Sequence, residues 1–416
     1  MEYVSSGETL KGSSFDKNED HFLIKNEVGL HIVCDGFGED GRGALASQMT
    51  TEFIAQVMIA SKKVFLEYKT NPTDELRESI TELVEQAVNK ISVQILSVIS
   101  KDTVRRQMGT TLSMVLVVGN GVFMAHIGNS RIYLIRDDSV HLLTEDHVTK
   151  KQDKNSKMVA EELTLHGLSS NALTRMIGSA QQLKVDLLYF EIMEGDTLLL
   201  CTDGAYNQLS ENKILEMQKE SNDSSLAKNI IDNSREKHIT DNATVISISF
   251  DQAKMKKASV TPQVKFSTLQ KIPLFSEFDY KEMSKLLTFM KMKRIIKDQK
   301  VVTQGEMGQD LYIILAGSAD VIIDTNKVNE LTSGQYFGEV SLIDREPRSA
   351  TIIATSDLEV LVLNRKDFTY LITHEPQISV KMLWKFAQVL SARVRHTAGG
   401  APLVATDNQK IVLNFD

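Results

Sequence analysis

The chain has 416 residues, of which 42% are hydrophobic and 25% are charged, and its formal net charge is −8. This length exceeds what one ordinary hydrophobic core covers, so the sequence predicts two or three domains. The negative charge and the lack of a dense run of Lys and Arg argue against a nucleic-acid partner. No segment reaches about eighteen uninterrupted apolar residues, and the first residues lack the basic and apolar regions of a secretion signal. We therefore expect no membrane partner and a cytoplasmic protein.

The first half of the chain alternates short apolar strands with long helical patterns. Residues 73–101 form the clearest helical pattern, which begins with Thr-Asp-Glu and carries an apolar face suited to covering a sheet. The segments that follow, TLSMVLVV, VFMAHIG, RIYLI and HLLT, predict strands, and Asn120-Gly121 between the first two is typical of a hairpin. We interpret this run as a meander of antiparallel strands.

A change of pattern divides the chain into two predicted domains. Residues 252–267 are rich in lysine and poor in periodicity, which indicates a linker after a first domain at residues 1–251. A short helix, many short strands punctuated by Gly, and a final helix from Pro376 then predict a small β-domain at 268–396. Residues 397–416 are predicted to be a C-terminal tail.

Three aspartates in the first half follow or precede apolar strand patterns. Asp35 comes after GLHIVC, Asp203 comes after LLLCT, and Asp241 stands before NATVISI. Acids at strand ends can meet at one end of a sandwich even when they are far apart in sequence, and carboxylate oxygens are the ligands that Mg²⁺ and Mn²⁺ prefer. Each Asp alone is also typical of an ordinary turn. The sequence therefore indicates a divalent metal site, with simple turns as the alternative.

Eight short motifs in this half occur in one order: KNED at 17–20, CDGFG at 34–38, GTT at 109–111, HIGNSR at 126–131, LTEDH at 143–147, LTRMIG at 173–178, CTDG at 201–204 and DNATV at 241–245. In order and spacing they resemble the metal-dependent protein phosphatases of type 2C. The resemblance implies an α+β fold, an αββα sandwich, that holds two Mn²⁺ or Mg²⁺ ions. It also implies an enzyme that acts on phosphoserine and phosphothreonine proteins.

The resemblance assigns roles to individual residues. Asp35 would bridge both ions and the carbonyl of Gly36 would complete one set of ligands. Asp203 and Asp241 would bind the other ion, while Glu19 and Asp20 would act directly or through bound water. A metal-activated water would then attack the phosphorus atom without a phosphoenzyme. No Cys-X5-Arg loop is visible in the sequence, which argues against a thiol nucleophile.

Several positions depart from the type 2C pattern. Phe15 stands where these phosphatases usually carry an Arg that binds the substrate phosphate, so that contact is expected from the metals or from another base such as Lys17. Asn129 replaces an acid that is associated with a third metal, which puts the third site in doubt because an amide is a poorer ligand for a hard cation. These departures leave an alternative function, namely a non-catalytic effector whose first domain only binds phosphoproteins.

The second half contains FGEVSLIDREPRSAT at 337–351, which is similar to the phosphate-binding cassette of cyclic nucleotide-binding domains. The resemblance extends over about 268–396 and implies a β-roll or jelly roll with flanking helices. It assigns the cyclic phosphate to Arg348 and the ribose hydroxyl to Glu339. Backbone or hydroxyl contacts would come from Gly338, Ser341 and Ser349.

The residue types of this cassette fit an anion. An Arg guanidinium offers a planar fork to phosphate oxygens through charge-assisted bonds of about 1.5 to 3 kcal/mol each. Glu339 and Arg348 considered without the rest of the cassette could instead form a plain surface ion pair, which contributes little stability. The sequence does not decide between cAMP and cGMP, although it slightly favours cAMP. We interpret the whole chain as a protein phosphatase whose activity or targeting is set by cyclic nucleotide, and its oligomeric state is left open.

Overall fold

The computed structural model describes residues 3–102, 107–149, 172–221, 225–250, 262–339, 342 and 346–398. The chain forms two compact units, Met1–Lys256 and Lys257–Asp416. The division falls within the segment predicted as a linker. Residues 399–416 of the predicted C-terminal tail lie outside the described residues. None of the described helices is both long enough and apolar enough to span a lipid bilayer.

The first unit contains two stacked antiparallel sheets. One has the strand order β1-β11-β10-β7-β8, and the other has the order β2-β3-β5-β6-β9 with β4 paired to β3. The strands are β1 Tyr3–Leu10, β2 Asp20–Lys25, β3 Leu30–Gly38, β4 Met108–Thr110, β5 Leu112–Val118, β6 Gly121–Ile127, β7 Arg131–Arg136, β8 Ser139–Leu142, β9 Asp186–Glu191, β10 Thr197–Cys201 and β11 Ala243–Phe250. We call them the β1 sheet and the β2 sheet.

Helices cover the outer face of each sheet. Three pack on the β2 sheet, namely α1 Arg42–Ala60, α2 Lys62–Thr70 and α3 Asp74–Lys101, with a single 3₁₀ turn, Glu39–Gly41, before α1. Three others pack on the β1 sheet, namely α4 Asp203–Tyr206, α5 Glu211–Glu220 and α6 Leu226–Glu236. Apolar clusters fill both helix–sheet layers. The predicted αββα sandwich is thereby confirmed.

Helix α3 shows why the sequence pattern was informative. The Thr73 side chain accepts a hydrogen bond from the Leu76 amide and caps the first turn. Ile80, Ile91 and Ile95 are fully buried against the β2 sheet. The predicted apolar face of this helix is therefore confirmed.

The predicted meander after α3 is wrong. Strands β5 and β6 form the expected hairpin, but β7 and β8 belong to the β1 sheet. The chain changes sheet at Gly128. Its φ of +106° is readily adopted by glycine but strained for other residues. A Cβ atom there would lie 2.6 Å from Thr111 Cγ2, so glycine also permits the close approach of the turn to the β2 sheet.

The second unit is a small sandwich of two four-stranded antiparallel sheets, with the orders β12-β19-β14-β17 and β13-β18-β15-β16. Its strands are β12 Lys291–Ile295, β13 Lys300–Val302, β14 Asp310–Ala316, β15 Ser318–Ile323, β16 Asn326–Thr332, β17 Tyr336–Phe337, β18 Thr351–Ala354 and β19 Leu358–Asn364. The flanking helices are α7 Pro262–Lys271, α8 Tyr280–Thr288, α9 Arg365–His374 and α10 Pro376–Ala398, with a 3₁₀ turn at Pro273–Phe275. One apolar cluster lies between the two sheets, and another joins the β12-β19-β14-β17 sheet to the helices. The predicted β-domain with flanking helices is confirmed.

Candidate metal centre and phosphate-binding loop

The sandwich brings four aspartates to one end of its sheets. Asp20 and Asp35 are paired in register on β2 and β3. Asp203 begins α4 directly after β10, and Asp241 lies just before β11, which neighbours β10. The prediction that Asp35 stands at a strand end is wrong. It lies inside β3, because β4 pairs with the residues up to Gly38 and extends the strand.

Two glycines allow the chain segments that carry these acids to approach closely. A Cβ atom on Gly36 would lie 2.1 Å from the Gly43 carbonyl oxygen and 2.6 Å from that of Glu19. A Cβ atom on Gly204 would lie 2.0 Å from the carbonyl oxygen of Asn242. Neither position accommodates a side chain, so both glycines are required by backbone packing beside the acids.

Asp20 and Asp203 each have one carboxylate oxygen in a hydrogen bond and one that could bind a ligand. Asp20 Oδ2 accepts from the Thr202 hydroxyl at 2.8 Å, and Asp203 Oδ2 accepts from the Asn129 amide at 3.0 Å. Asp20 Oδ1 and Asp203 Oδ1 are buried and have no hydrogen-bond partner among the described residues. Buried carboxylate oxygens are normally satisfied, so this pair fits a bound cation.

Electrostatics point the same way. Burial, reinforced by the charges of Asp203 and Asp241, raises the pKa of Asp20 to about 7. Burial and the charges of Asp20, Asp203 and Asp241 raise the pKa of Asp35 well above its usual range. Burial and Asp203 also raise the pKa of Asp241. The acids repel one another when all are ionised, and a divalent cation between them would relieve this repulsion.

The oxygen donors of these aspartates are of the kind that Mg²⁺ and Mn²⁺ prefer. Among the residues that the structure describes, no three His, Cys, Asp or Glu side chains form a ready cage for a metal ion. Mg²⁺ commonly keeps several waters and uses only one or two carboxylates, and Mn²⁺ also prefers carboxylate, carbonyl and water ligands. The aspartates together with water therefore fit either ion.

The other residues predicted for this centre, Glu19 and Gly36, adjoin Asp20 and Asp35 in the sequence. Glu19 is buried, and burial raises the pKa of its carboxyl group. Its carbonyl accepts from the Gly36 amide at 3.2 Å and from the Ser47 hydroxyl at 2.6 Å. Phe15 is half-buried and Lys17 is exposed. A phosphate contact from Lys17 stays a prediction, as do the metal-binding roles of Glu19 and the Gly36 carbonyl.

Sequence reasoning missed the residues that hold α4. Arg131 forms a bidentate ion pair with Asp146 at 3.0 and 2.7 Å, and its guanidinium lies 3.9 Å from the ring centre of Tyr206. Tyr206 is in the same short helix as Asp203. The motifs HIGNSR and LTEDH contain this pair of charges, but only the fold shows that they meet.

The second unit places the predicted phosphate-binding Arg348 in a buried position. Its guanidinium donates to the Asp310 carbonyl at 3.0 Å and, more weakly, to that of Gly338 at 3.5 Å. A Cβ atom on Gly308 would lie 2.0 Å from Arg348 Nε, so this glycine makes room for the arginine. The side chain of Arg348 is thus buried against two backbone carbonyls rather than lying on the surface.

The remaining cassette residues divide into three groups. Gly338 and the buried Glu339 lie at the end of β17, close to Arg348. Ser349 is exposed. Ser341 lies outside the described residues, so its predicted contact stays a prediction.

Each of the two units matches a known family. Residues 14–236, more than half of the chain, match the family described as Protein phosphatase 2C. Residues 292–375 match the Cyclic nucleotide-binding domain. Protein phosphatase PhpP of Streptococcus pneumoniae is 30% identical over 207 residues, which are 49% of this chain and 79% of that protein.

Two solved structures are similar to the first unit. The serine/threonine phosphatase PstP/Ppp of Mycobacterium tuberculosis is 23% identical with a TM-score of 0.48, covering 60% of this chain and 99% of that chain. The catalytic domain of the serine/threonine protein phosphatase PstP, in complex with two manganese ions, is 24% identical with a TM-score of 0.48, and the coverage is again 60% and 99%.

Proposed function

The chain belongs to the protein phosphatase 2C family, and we propose that it hydrolyses phosphoserine and phosphothreonine proteins at the Asp20–Asp35–Asp203–Asp241 centre under the control of a cyclic nucleotide. The family makes the chain a metal-dependent protein phosphatase. We propose in addition which residues form the centre, that a cyclic nucleotide controls the activity, and which nucleotide binds.

One observation carries the assignment of the centre. Two buried oxygens, Asp20 Oδ1 and Asp203 Oδ1, have no hydrogen-bond partner in the described part of the chain. They belong to carboxylates whose other oxygens are fixed by Thr202 and Asn129. A site that leaves such oxygens unsatisfied and places negative charges together is suited to divalent cations.

The residues of the centre perform separable tasks. Two bound Mn²⁺ or Mg²⁺ ions would supply a water acidic enough to act as a nucleophile near neutral pH. Asp35 and Asp20, paired on adjacent strands, would hold this centre on the β2 sheet, and Asp203 and Asp241 would hold it on the β1 sheet. The exposed Lys17 would contact the substrate phosphate that Phe15 cannot bind.

The second unit would bind the regulator. Arg348 would pair with the cyclic phosphate, Glu339 would accept from the ribose 2′-hydroxyl, and Gly338, Ser341 and Ser349 would add backbone or hydroxyl contacts. We propose cAMP or cGMP as the ligand, with α10 closing over it. A ligand shifts such an equilibrium only by its differential affinity for the two states, about 1 to 3 kcal/mol for ordinary coupling.

Substitution of Asp203 tests the metal centre. Asp203→Asn should lower Mn²⁺-dependent hydrolysis of a phosphopeptide by more than about a hundredfold, because even indirect partners of metal ligands are worth about 10–100-fold. Asp232→Asn is the matched control, since this carboxylate lies on α6 and its side chain is 41% exposed.

The same assay separates the two candidate functions. Unchanged turnover in Asp203→Asn would contradict the assignment of the centre. No turnover in the wild-type chain, with phosphopeptide still bound, would instead favour the non-catalytic effector for which Phe15 and Asn129 argue.

A further inference from the structure

A pair of buried hydroxyl groups connects the two sheets of the first unit directly beside the aspartates. Thr111 lies between β4 and β5 of the β2 sheet, and Ser130 stands immediately before β7 of the β1 sheet. Their side-chain oxygens are 2.7 Å apart, and either can donate the hydrogen bond. Thr111 is 1% exposed and Ser130 is 0% exposed, so water does not compete for this contact.

One end of this pair fixes the backbone of Asp35. The Asp35 amide donates to Thr111 Oγ1 at 2.9 Å, and the Thr111 amide donates to the Asp35 carbonyl at 2.9 Å. The neighbouring Thr110 hydroxyl donates to the same carbonyl at 2.9 Å. Asp35 therefore has its main chain held on both sides, and the Thr111 hydroxyl supplies one of these contacts.

The other end leads to Asp203. Asn129 is the residue next to Ser130. The side-chain amide of Asn129 donates to Asp203 Oδ2 at 3.0 Å. The Ser130 carbonyl in turn accepts from the buried Ser113 hydroxyl at 3.0 Å, which ties this turn to β5. The turn therefore has contacts to both sheets and to the Asp203 carboxylate.

We propose that Thr111 and Ser130 are positioning residues, a hydroxyl bridge that holds Asp35 of one sheet and Asp203 of the other at the separation that a cation needs. The inference rests on the proposed metal centre and deepens it. Ionised carboxylates in one buried site repel each other, so something other than the ligands must keep them together before a cation binds. The hydroxyl bridge meets this need because it links the sheets without touching the ligand oxygens.

Mn²⁺ binding to the full chain, measured by titration calorimetry, tests the bridge without requiring turnover. Thr111→Val keeps the shape but removes the hydroxyl, and should raise the Mn²⁺ Kd by about tenfold or more, as loss of indirect partners of metal ligands does. Thr111→Ser restores the hydroxyl and should return the Kd to within about twofold of the wild type, well below the loss of about tenfold expected without the hydroxyl. Ser130→Ala breaks the bridge from the other side, and decides the question if Thr111→Val does not fold.

Thr50→Val is the matched control for a lost buried hydroxyl. Thr50 is 0% exposed, and its hydroxyl donates to the Ala46 carbonyl of its own helix at 2.8 Å. Wild-type Mn²⁺ affinity in folded Thr111→Val or Ser130→Ala would overturn the bridge, and so would an equal loss in Thr50→Val. A wild-type chain that binds no Mn²⁺ would instead contradict the proposed metal centre, and the inference would fall with it.

Discussion

The raised pKa of the Asp20 carboxyl makes the stability of the metal-free protein depend on pH. This carboxyl is buried beside Asp203 and Asp241, and its pKa is raised to about 7 in the metal-free protein. Since an unfolded Asp titrates at about 3.9, the folded state binds more protons than the unfolded state between these two pH values. The free energy of unfolding must then fall as the pH rises through this window.

The fall in the free energy of unfolding with rising pH can be measured on the metal-free chain. In EDTA, the stability of the wild type should decrease between about pH 4 and about pH 7, and Asp20→Asn should lose part of this decrease because its amide does not titrate. Mn²⁺ should stabilise the wild type most at the upper end of the range, where the carboxylates are ionised. Chemical denaturation at several pH values measures this, and an identical slope in wild type and Asp20→Asn would contradict it.

At the scale of elements, the loop before β14 positions the arginine of the second unit. A Cβ atom on Gly308 would lie 2.0 Å from Arg348 Nε and 2.3 Å from its Cζ. An alanine there must displace the guanidinium from the Asp310 carbonyl to which it donates. Gly308 therefore helps to set the position of the guanidinium to which we assign the phosphate of the nucleotide.

Gly308→Ala should weaken cyclic nucleotide binding by about tenfold or more, the equivalent of losing one charge-assisted bond of about 1.5 to 3 kcal/mol. Calorimetry with cAMP and cGMP measures the effect. Gly334→Ala is the control, because its φ of +84° makes alanine strained there while nothing lies within 4 Å of the added Cβ atom. Unchanged affinity in Gly308→Ala would argue against the position assigned to Arg348.

The elements that could be predicted from sequence are those with their own periodic pattern. Helix α3 and the β5–β6 hairpin have such patterns, and both form as expected. Strand β1, YVSSGETL, has no alternation and is a strand because it pairs with β11 along its whole length. The prediction that β7 and β8 continue the meander of β5 and β6 is wrong, because the change of sheet depends on one turn, which has no periodicity.

The candidate centre was predictable for a similar reason and to a similar extent. Asp35, Asp203 and Asp241 stand beside strand patterns, so their types and places pointed to a metal site. The hydroxyls of Thr202, Thr111 and Ser130 gave no such signal. Their partners lie across the sandwich, and only the packing of two sheets brings them together.

At the scale of the whole molecule, the chain combines a phosphatase family domain at residues 14–236 with a cyclic nucleotide-binding domain at residues 292–375. Each unit has its own core and its own candidate site. The proposed coupling between them requires that cyclic nucleotide change the rate or the substrate affinity of the first unit. Ordinary coupling of about 1 to 3 kcal/mol corresponds to a change of about 5- to 150-fold.

The most direct test compares Mn²⁺-dependent dephosphorylation of a phosphopeptide with and without cAMP and cGMP, in the wild type and in Arg348→Ala. We expect at least one nucleotide to change kcat or KM of the wild type by about fivefold or more. Arg348→Ala should keep the basal rate and lose the response, because the guanidinium that would bind the phosphate is gone. Identical kcat and KM with and without nucleotide in the wild type would contradict cyclic nucleotide control of the enzyme.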